Sequence, residues 1–117
     1  MKKTKIKIDP IKGRGVWAQE NIKRGETIEV CHILVFDFDE VGPSLEGYVF
    51  NFDKVHVALA LGNGSLYNHR NTPNAAAHMD HSERLLYFEA RKLIKKGEEI
   101  TIDYGYSRTD RKKFNLV

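Results

Sequence analysis

The sequence predicts a small, mainly β domain, and three observations carry that prediction. Short runs of alternating, β-branched and aromatic residues recur along the 117 residues, punctuated by Gly, Asn, Asp and Pro. Long amphipathic helical patterns are missing, which excludes a doubly wound fold with its parallel crossovers. The third observation is a near-repeat, Ala18-Gln19-Glu20-Asn21-Ile22-Lys23-Arg24-Gly25-Glu26-Thr27-Ile28 against Ala90-Arg91-Lys92-Leu93-Ile94-Lys95-Lys96-Gly97-Glu98-Glu99-Ile100. Each copy reads as strand, turn, strand, with the glycine supplying a positive φ and the isoleucines facing inward. Two such units, one toward each end, imply approximate internal symmetry.

The elements follow in order. Residues 5–8 alternate charged and apolar side chains, as a half-buried strand does, and Asp9-Pro10 starts a turn. Gly13-Arg14-Gly15 then opens into Val16-Trp17-Ala18, and a Gly-x-Gly permits the close backbone approach that a tight bend or a ligand requires. Residues 28–38, rich in Val, Ile and Phe, read as one or two strands, and residues 39–47, with Gly42-Pro43-Ser44, as a loop. Tyr48-Val49-Phe50-Asn51-Phe52 alternates as a short strand, and residues 55–61 form a strand or a half-buried turn. Gly62-Asn63-Gly64 delivers the chain to Leu66-Tyr67-Asn68-His69-Arg70-Asn71-Thr72-Pro73-Asn74, whose composition says turn. Its three asparagines can fold back onto nearby backbone, and Pro73 pushes Thr72 out of the helical region. Residues 75–78 read as helix or strand, with strand preferred because Asn74 and Asp80 bracket them closely; residues 85–90 and 100–104 are expected strands, and residues 108–117 a polar tail carrying Phe114.

Length and charge bound the function. A chain of 117 residues is one domain with its own core. The single Cys31 can form neither an internal disulfide nor a cysteine zinc cluster, which points to a reducing compartment. Lys5 and Lys7 interrupt any signal-peptide core, and no apolar run approaches membrane-spanning length. The chain is therefore expected to be soluble and intracellular, in the cytoplasm, or in a host nucleus if it is viral or an effector, with no membrane partner. A net charge of +3 and a pI near 9.0 invite a nucleic-acid reading, but the charges are segregated. Residues 26–53 hold no Lys or Arg and seven acidic residues, Glu26, Glu29, Asp37, Asp39, Glu40, Glu46 and Asp53. Alternating surface aromatics and basics are lacking, so direct nucleic-acid binding is not expected, while an acidic middle suits a basic peptide. His78, Asp80 and His81 fall short of four ligands at metal-site spacing and read as a solvated loop, so no metal is expected.

Three blocks stand in one order: Gly13-Arg14-Gly15-Val16-Trp17-Ala18, then Asn68-His69 with Pro73-Asn74, then Gly97-Glu98-Glu99-Ile100-Thr101-Ile102-Asp103-Tyr104-Gly105. Together they resemble the SET domain of protein-lysine methyltransferases, in a minimal form without cysteine-rich flanking segments, similar to small viral or bacterial SET proteins. The resemblance implies a β-clip of short twisted sheets with a C-terminal pseudoknot and little helix, bringing Asn68-His69 next to Tyr104. It implies S-adenosylmethionine as cofactor and a lysine-bearing protein as substrate, such as a basic histone tail. Arg14, Gly15 and Trp17 would then meet the cofactor's amino-acid end, Asn68 its methionine part and the His69 backbone its adenine. Tyr104 would be the catalytic hydroxyl, Tyr48 a second catalytic and channel tyrosine, and Phe114 a ring stacked over the cofactor. Tyr87 or Phe88 would wall the lysine channel together with Ile102, which stands where the family often places Phe or Tyr; an aliphatic residue there implies tolerance of more than one methylation. Arg70 departs from the family's usual serine, and Asn71-Thr72 from a cysteine-bearing pair. Residues 106–117 are expected to be a mobile tail or lid, fixed by substrate or by a second copy in a homodimer. The competing reading is a catalytically silent SET-like β-clip that binds a basic peptide, and cofactor binding separates the two.

Overall fold

Strands dominate the computed structural model, which describes residues 3–11, 13–45 and 47–103. Tyr104, Phe114 and the expected lid at 106–117 lie outside the described residues. The strands are β1 (Thr4–Asp9), β2 (Gly13–Ala18), β3 (Thr27–Asp37), β4 (Val49–Asn51), β5 (His56–Ala60), β6 (Asn68–His69), β7 (Ala75–Asp80), β8 (Leu85–Ala90) and β9 (Glu99–Ile102). Single 3-10 turns span Phe38–Glu40 and Gly64–Leu66. One sheet has the order β1-β2-β9-β6 and the other β4-β5-β3-β8-β7. This is the mainly β architecture of short curled sheets that the sequence predicts. No helix among the described residues is long and apolar enough to cross a membrane.

Alternation decides which side chains face the core. On β8, Leu86, Phe88 and Ala90 are buried while Leu85, Tyr87 and Glu89 are half-buried on the other face. On β3 the pairing shifts register between Thr27 and Glu29, so Ile28 and then Cys31 and Ile33 point inward. These side chains meet Val16, Tyr67, Ile100 and Ile102 in one core. Phe88 stacks on Tyr67 with ring centres 4.2 Å apart.

The near-repeat turns out to pair with itself. Ile22 N donates to Ile94 O at 2.8 Å and Ile94 N returns a bond to Ile22 O at 2.9 Å. Around that pair the bonds come in equivalent couples: Ala18 N to Glu98 O with Ala90 N to Glu26 O, and Gly97 N to Ala18 O with Gly25 N to Ala90 O. Gly25 and Gly97 have φ of 85° and 92°, and in each turn a glutamate, Glu26 or Glu98, accepts from the backbone of Lys23 or Lys95 at 3.1 Å. The two units are thus halves of one local dyad, with Ile22 and Ile94 fully buried at its centre. Each of these isoleucines contributes about 1.5–3 kcal/mol by burial.

Two local readings change. The expected strand at 48–52 contracts to Val49–Asn51, and residues 68–69, read as turn, are a strand parallel to β9. Turn-forming composition describes local options, whereas the β6 ladder is formed with a strand some thirty residues away.

Cys31 lies beneath Gly64, where an added Cβ would come within 3.0 Å of its sulfur. Burial, and then the neighbouring Glu29 carboxylate, push this thiol up to about 12. The folded chain is therefore expected to resist iodoacetamide at pH 8 and to react on unfolding. Alkylation of the native chain at the rate of a free thiol would contradict this.

Candidate active site

Where the two sheets approach, a cleft of about 580 Å³ opens between the β1–β2 hairpin, the loop before β4 and the segment that leads into β6. Ile8, Gly13 and Arg14 line one side, Gly47 and Tyr48 another, and Ser65, Leu66, Tyr67 and Asn68 the third. Ser65 Oγ donates to the Tyr48 carbonyl at 2.8 Å and so ties the Tyr48 loop to the third wall. The Tyr48 ring is about half exposed, at 48%. Beneath it, Tyr67 donates its hydroxyl to Glu29 Oε1 at 2.7 Å, and burial together with that carboxylate drives the phenol well above its ordinary range.

Gly15 shows why this wall needs a glycine. An added Cβ would sit 2.7 Å from Glu99 Oε2, 2.9 Å from Asn68 Nδ2 and 3.4 Å from Trp17 Nε1. The position has no positive φ, so the requirement is space. Asn68 Nδ2 donates to Glu99 Oε2 at 2.6 Å across that space. Trp17 packs under the Lys7 ammonium, 4.8 Å from its ring centre, and its indole N–H is buried with no acceptor among the described residues.

The structure thus brings together Arg14, Tyr48 and Asn68 on the cleft, with Gly15 and Trp17 directly behind them. His69 faces the other way. Its side chain is only 2% exposed, with Nδ1 3.9 Å from Asp103 and Nε2 3.2 Å from Asn71 Oδ1. Parallel pairing sets Asn68 opposite Thr101 and His69 opposite Ile102, so the Asn-His pair lies against the strand that runs toward Tyr104. Ile102 is fully buried in the core and offers the cleft no surface. Of the aromatic pair on β8, Phe88 packs on Tyr67, while Tyr87 lies on the opposite face with its ring 5.0 Å from His78. Neither lines the cleft. His78, Asp80 and His81 diverge: Asp80 caps the turn at Ser82 and Glu83, and His81 Nε2 lies 2.7 Å from the Phe52 carbonyl oxygen.

Two residues that position the site are absent from the candidates above. Asn74 is buried and works as a substitute strand rung, accepting from Thr101 N at 2.9 Å and donating to Glu99 O at 2.9 Å. Glu99 holds Asn68. A signal for Glu99 exists in the near-repeat, where Glu98 matches Glu26 but Glu99 stands opposite Thr27 as an added carboxylate.

The sequence model of the SET domain family matches residues 13–105. The chain belongs to the SET domain family. A histone-lysine N-methyltransferase of Schizosaccharomyces pombe, named as specific for H3 lysine-37, is 33% identical over 99 residues, which cover 80% of this chain and 67% of that protein. A Plasmodium falciparum protein described as a candidate histone methyltransferase superposes with a TM-score of 0.79 at 33% identity, covering 93% of this SET domain and 98% of that chain. KRYPTONITE, solved in complex with mCHG DNA and SAH, superposes with a TM-score of 0.71 at 23% identity over 90% of this SET domain and 24% of its own chain, a likeness of fold. This SET domain is a protein-lysine methyltransferase.

Proposed function

We propose that this SET domain transfers the methyl group of S-adenosylmethionine to a lysine side-chain amine in a basic tail of the histone kind. The observation that carries the reading is the cleft joining Arg14, Tyr48 and Asn68 to the glycine-bearing wall of β2, alongside the strand that leads in sequence to Tyr104. The residues present fit the cofactor. Arg14 offers a guanidinium for a carboxylate, Asn68 an amide for the amino-acid end, and Trp17 a buried donor short of an acceptor beside Gly15. When bound, S-adenosylmethionine supplies a methyl group on a positively charged sulfur.

The chain must then provide a neutral lysine in line with that methyl. A free lysine has a pKa of about 10.4, so deprotonation is the obstacle at neutral pH. Desolvation by the rings around the cleft lowers that value, and the tyrosine hydroxyls of Tyr48 and Tyr104 are the groups we assign to orienting the amine. Residues 106–117 are assigned to excluding water, either over bound substrate or through pairing of two copies.

The segment leading to Tyr48 carries Asp37, Asp39 and Glu40, all exposed, and Asp53 follows it. Asp53 is held below its ordinary value, first by the Val55 backbone N–H it accepts from and then by His56, and is charged at neutral pH. This acidic stretch, exposed on either side of Tyr48 in the sequence, favours a lysine- and arginine-rich peptide. The Michaelis constant for such a peptide is therefore expected to rise several-fold between about 50 and 500 mM salt, as screening shortens to a few ångströms. A constant independent of salt would remove the acidic stretch from substrate recognition. The reading as a whole is tested with labelled S-adenosylmethionine and a panel of histone peptides. Label appearing on lysine is the expected result, and no transfer to any peptide or intact histone would overturn it.

A further inference from the structure

Glu99 is the carboxylate to which none of the motif blocks assigns a task. Its neighbour Glu98 caps its own turn, as Glu26 does in the other half of the dyad. Glu99 instead reaches across from β9, opposite Trp17 on β2, and accepts from Asn68 Nδ2 at 2.6 Å. An ionised carboxylate can only accept, so the amide end facing Glu99 must be the NH₂. Asn68 lines the cleft, and among the described residues no donor reaches its Oδ1.

We propose that Glu99 is a positioning residue that locks the Asn68 amide in one orientation, presenting Oδ1 in the cleft as an acceptor for the α-ammonium of the cofactor. The inference rests on the reading of the cleft as an S-adenosylmethionine site. Without Glu99 the amide is free to turn and offer its NH₂, which repels an ammonium. Gly15 belongs to the same device, since its missing Cβ is the room in which the Asn68–Glu99 bond forms. The charge of Glu99 adds to the selection, because a carboxylate held one amide away favours a cation.

The test compares S-adenosylhomocysteine with its des-amino analogue, which lacks only the α-ammonium, by titration calorimetry on the full chain. Wild type is expected to prefer the amino-bearing ligand by at least about ten-fold, the size of one hydrogen bond to a charged group. Glu99→Gln should reduce that preference several-fold, because a Gln–Asn pair can face either way, and leave the des-amino affinity unchanged. Asn68→Asp, whose carboxylate accepts from an ammonium whichever oxygen faces it, should keep the preference. In that background Glu99→Gln should change the preference by less than about three-fold, because no amide is left to orient. Equal loss for both ligands in Glu99→Gln would show a packing role and overturn the proposal. So would a double variant that loses as much preference relative to Asn68→Asp as Glu99→Gln loses relative to wild type. If Glu99→Gln fails to fold, Gly15→Ala, which pushes the same pair apart, must lower the preference or the proposal fails. Wild type binding neither ligand would bring down the cofactor reading itself, a result distinct from wild type binding both ligands equally, which refutes only the ammonium contact.

Discussion

Replacing Tyr104 with phenylalanine is expected to lower kcat by about a hundred-fold or more while S-adenosylmethionine binds within about two-fold of wild type. The magnitude is that of removing one donor preorganised at a reacting centre. The expectation rests on the resemblance that assigns Tyr104 the catalytic hydroxyl, and on β9, whose parallel ladder with β6 sets Ile102, two residues earlier in the sequence, against His69. A hydroxyl that orients the amine and steadies the methyl in flight acts in the transition state and little in the ground state, so the loss should fall on kcat rather than on cofactor affinity. Single-turnover rates with a proven peptide, paired with calorimetric binding, make the comparison. Near wild-type turnover in the variant would remove Tyr104 from the chemistry.

Asn74→Ala is expected to be the most damaging substitution for stability among the residues of the central loop. The side chain holds Thr101 N and Glu99 O of β9, both at 2.9 Å, in a place where Thr101 is 3% exposed. Its removal leaves two strand groups without partners, and at about 1–3 kcal/mol for each such group the loss is about 2–6 kcal/mol. For a domain of this size that corresponds to a fall of about 10 °C or more in Tm. Thermal melting followed by circular dichroism measures it, and a fall under about 3 °C would mean that water or relaxation replaces the Asn74 bonds. Cofactor affinity should fall with stability, because β9 also carries Glu99.

Much of this was legible from the chain alone. Residues 28–38, rich in Val, Ile and Phe, and the apolar run at residues 85–90 correspond to β3 and β8, because β-branched, aromatic and apolar side chains suit a buried pleated surface. The glycine turns of the near-repeat were equally plain, and Arg14, Tyr48 and Asn68 do share one cleft. What the chain hides is pairing across distance. The asparagines of residues 68–74 look like local turn formers, yet Asn68 and Asn74 bond to Glu99 and Thr101, and nothing in a local window separates those outcomes. Symmetry between the two strand-turn-strand units was visible, but their direct pairing through Ile22 and Ile94 was not. Residues 85–88 are all apolar or aromatic, so choosing between Tyr87 and Phe88 needs the parity of the buried face, which only the packing of Leu86 and Ala90 supplies.

The place of β9 in the sheet has a consequence for how the molecule comes to exist. This strand is the last of those described, yet it is inserted between β2, near the start of the chain, and β6, from its middle. The sheet of β4, β5, β3, β8 and β7 can be completed by residues 27–90, whereas the four-stranded sheet stays split in two until residue 102 has emerged from the ribosome. Closing it joins segments far apart in sequence, and such late, long-range pairing is the slow kind. The Asn68–Glu99 bond forms in that same closure, and both dyad halves must already be turned to receive each other. A nascent or truncated chain that lacks β9 can therefore hold its five-stranded sheet but neither the completed core nor the Asn68–Glu99 bond, so a competent cleft is expected only at the final stage of assembly.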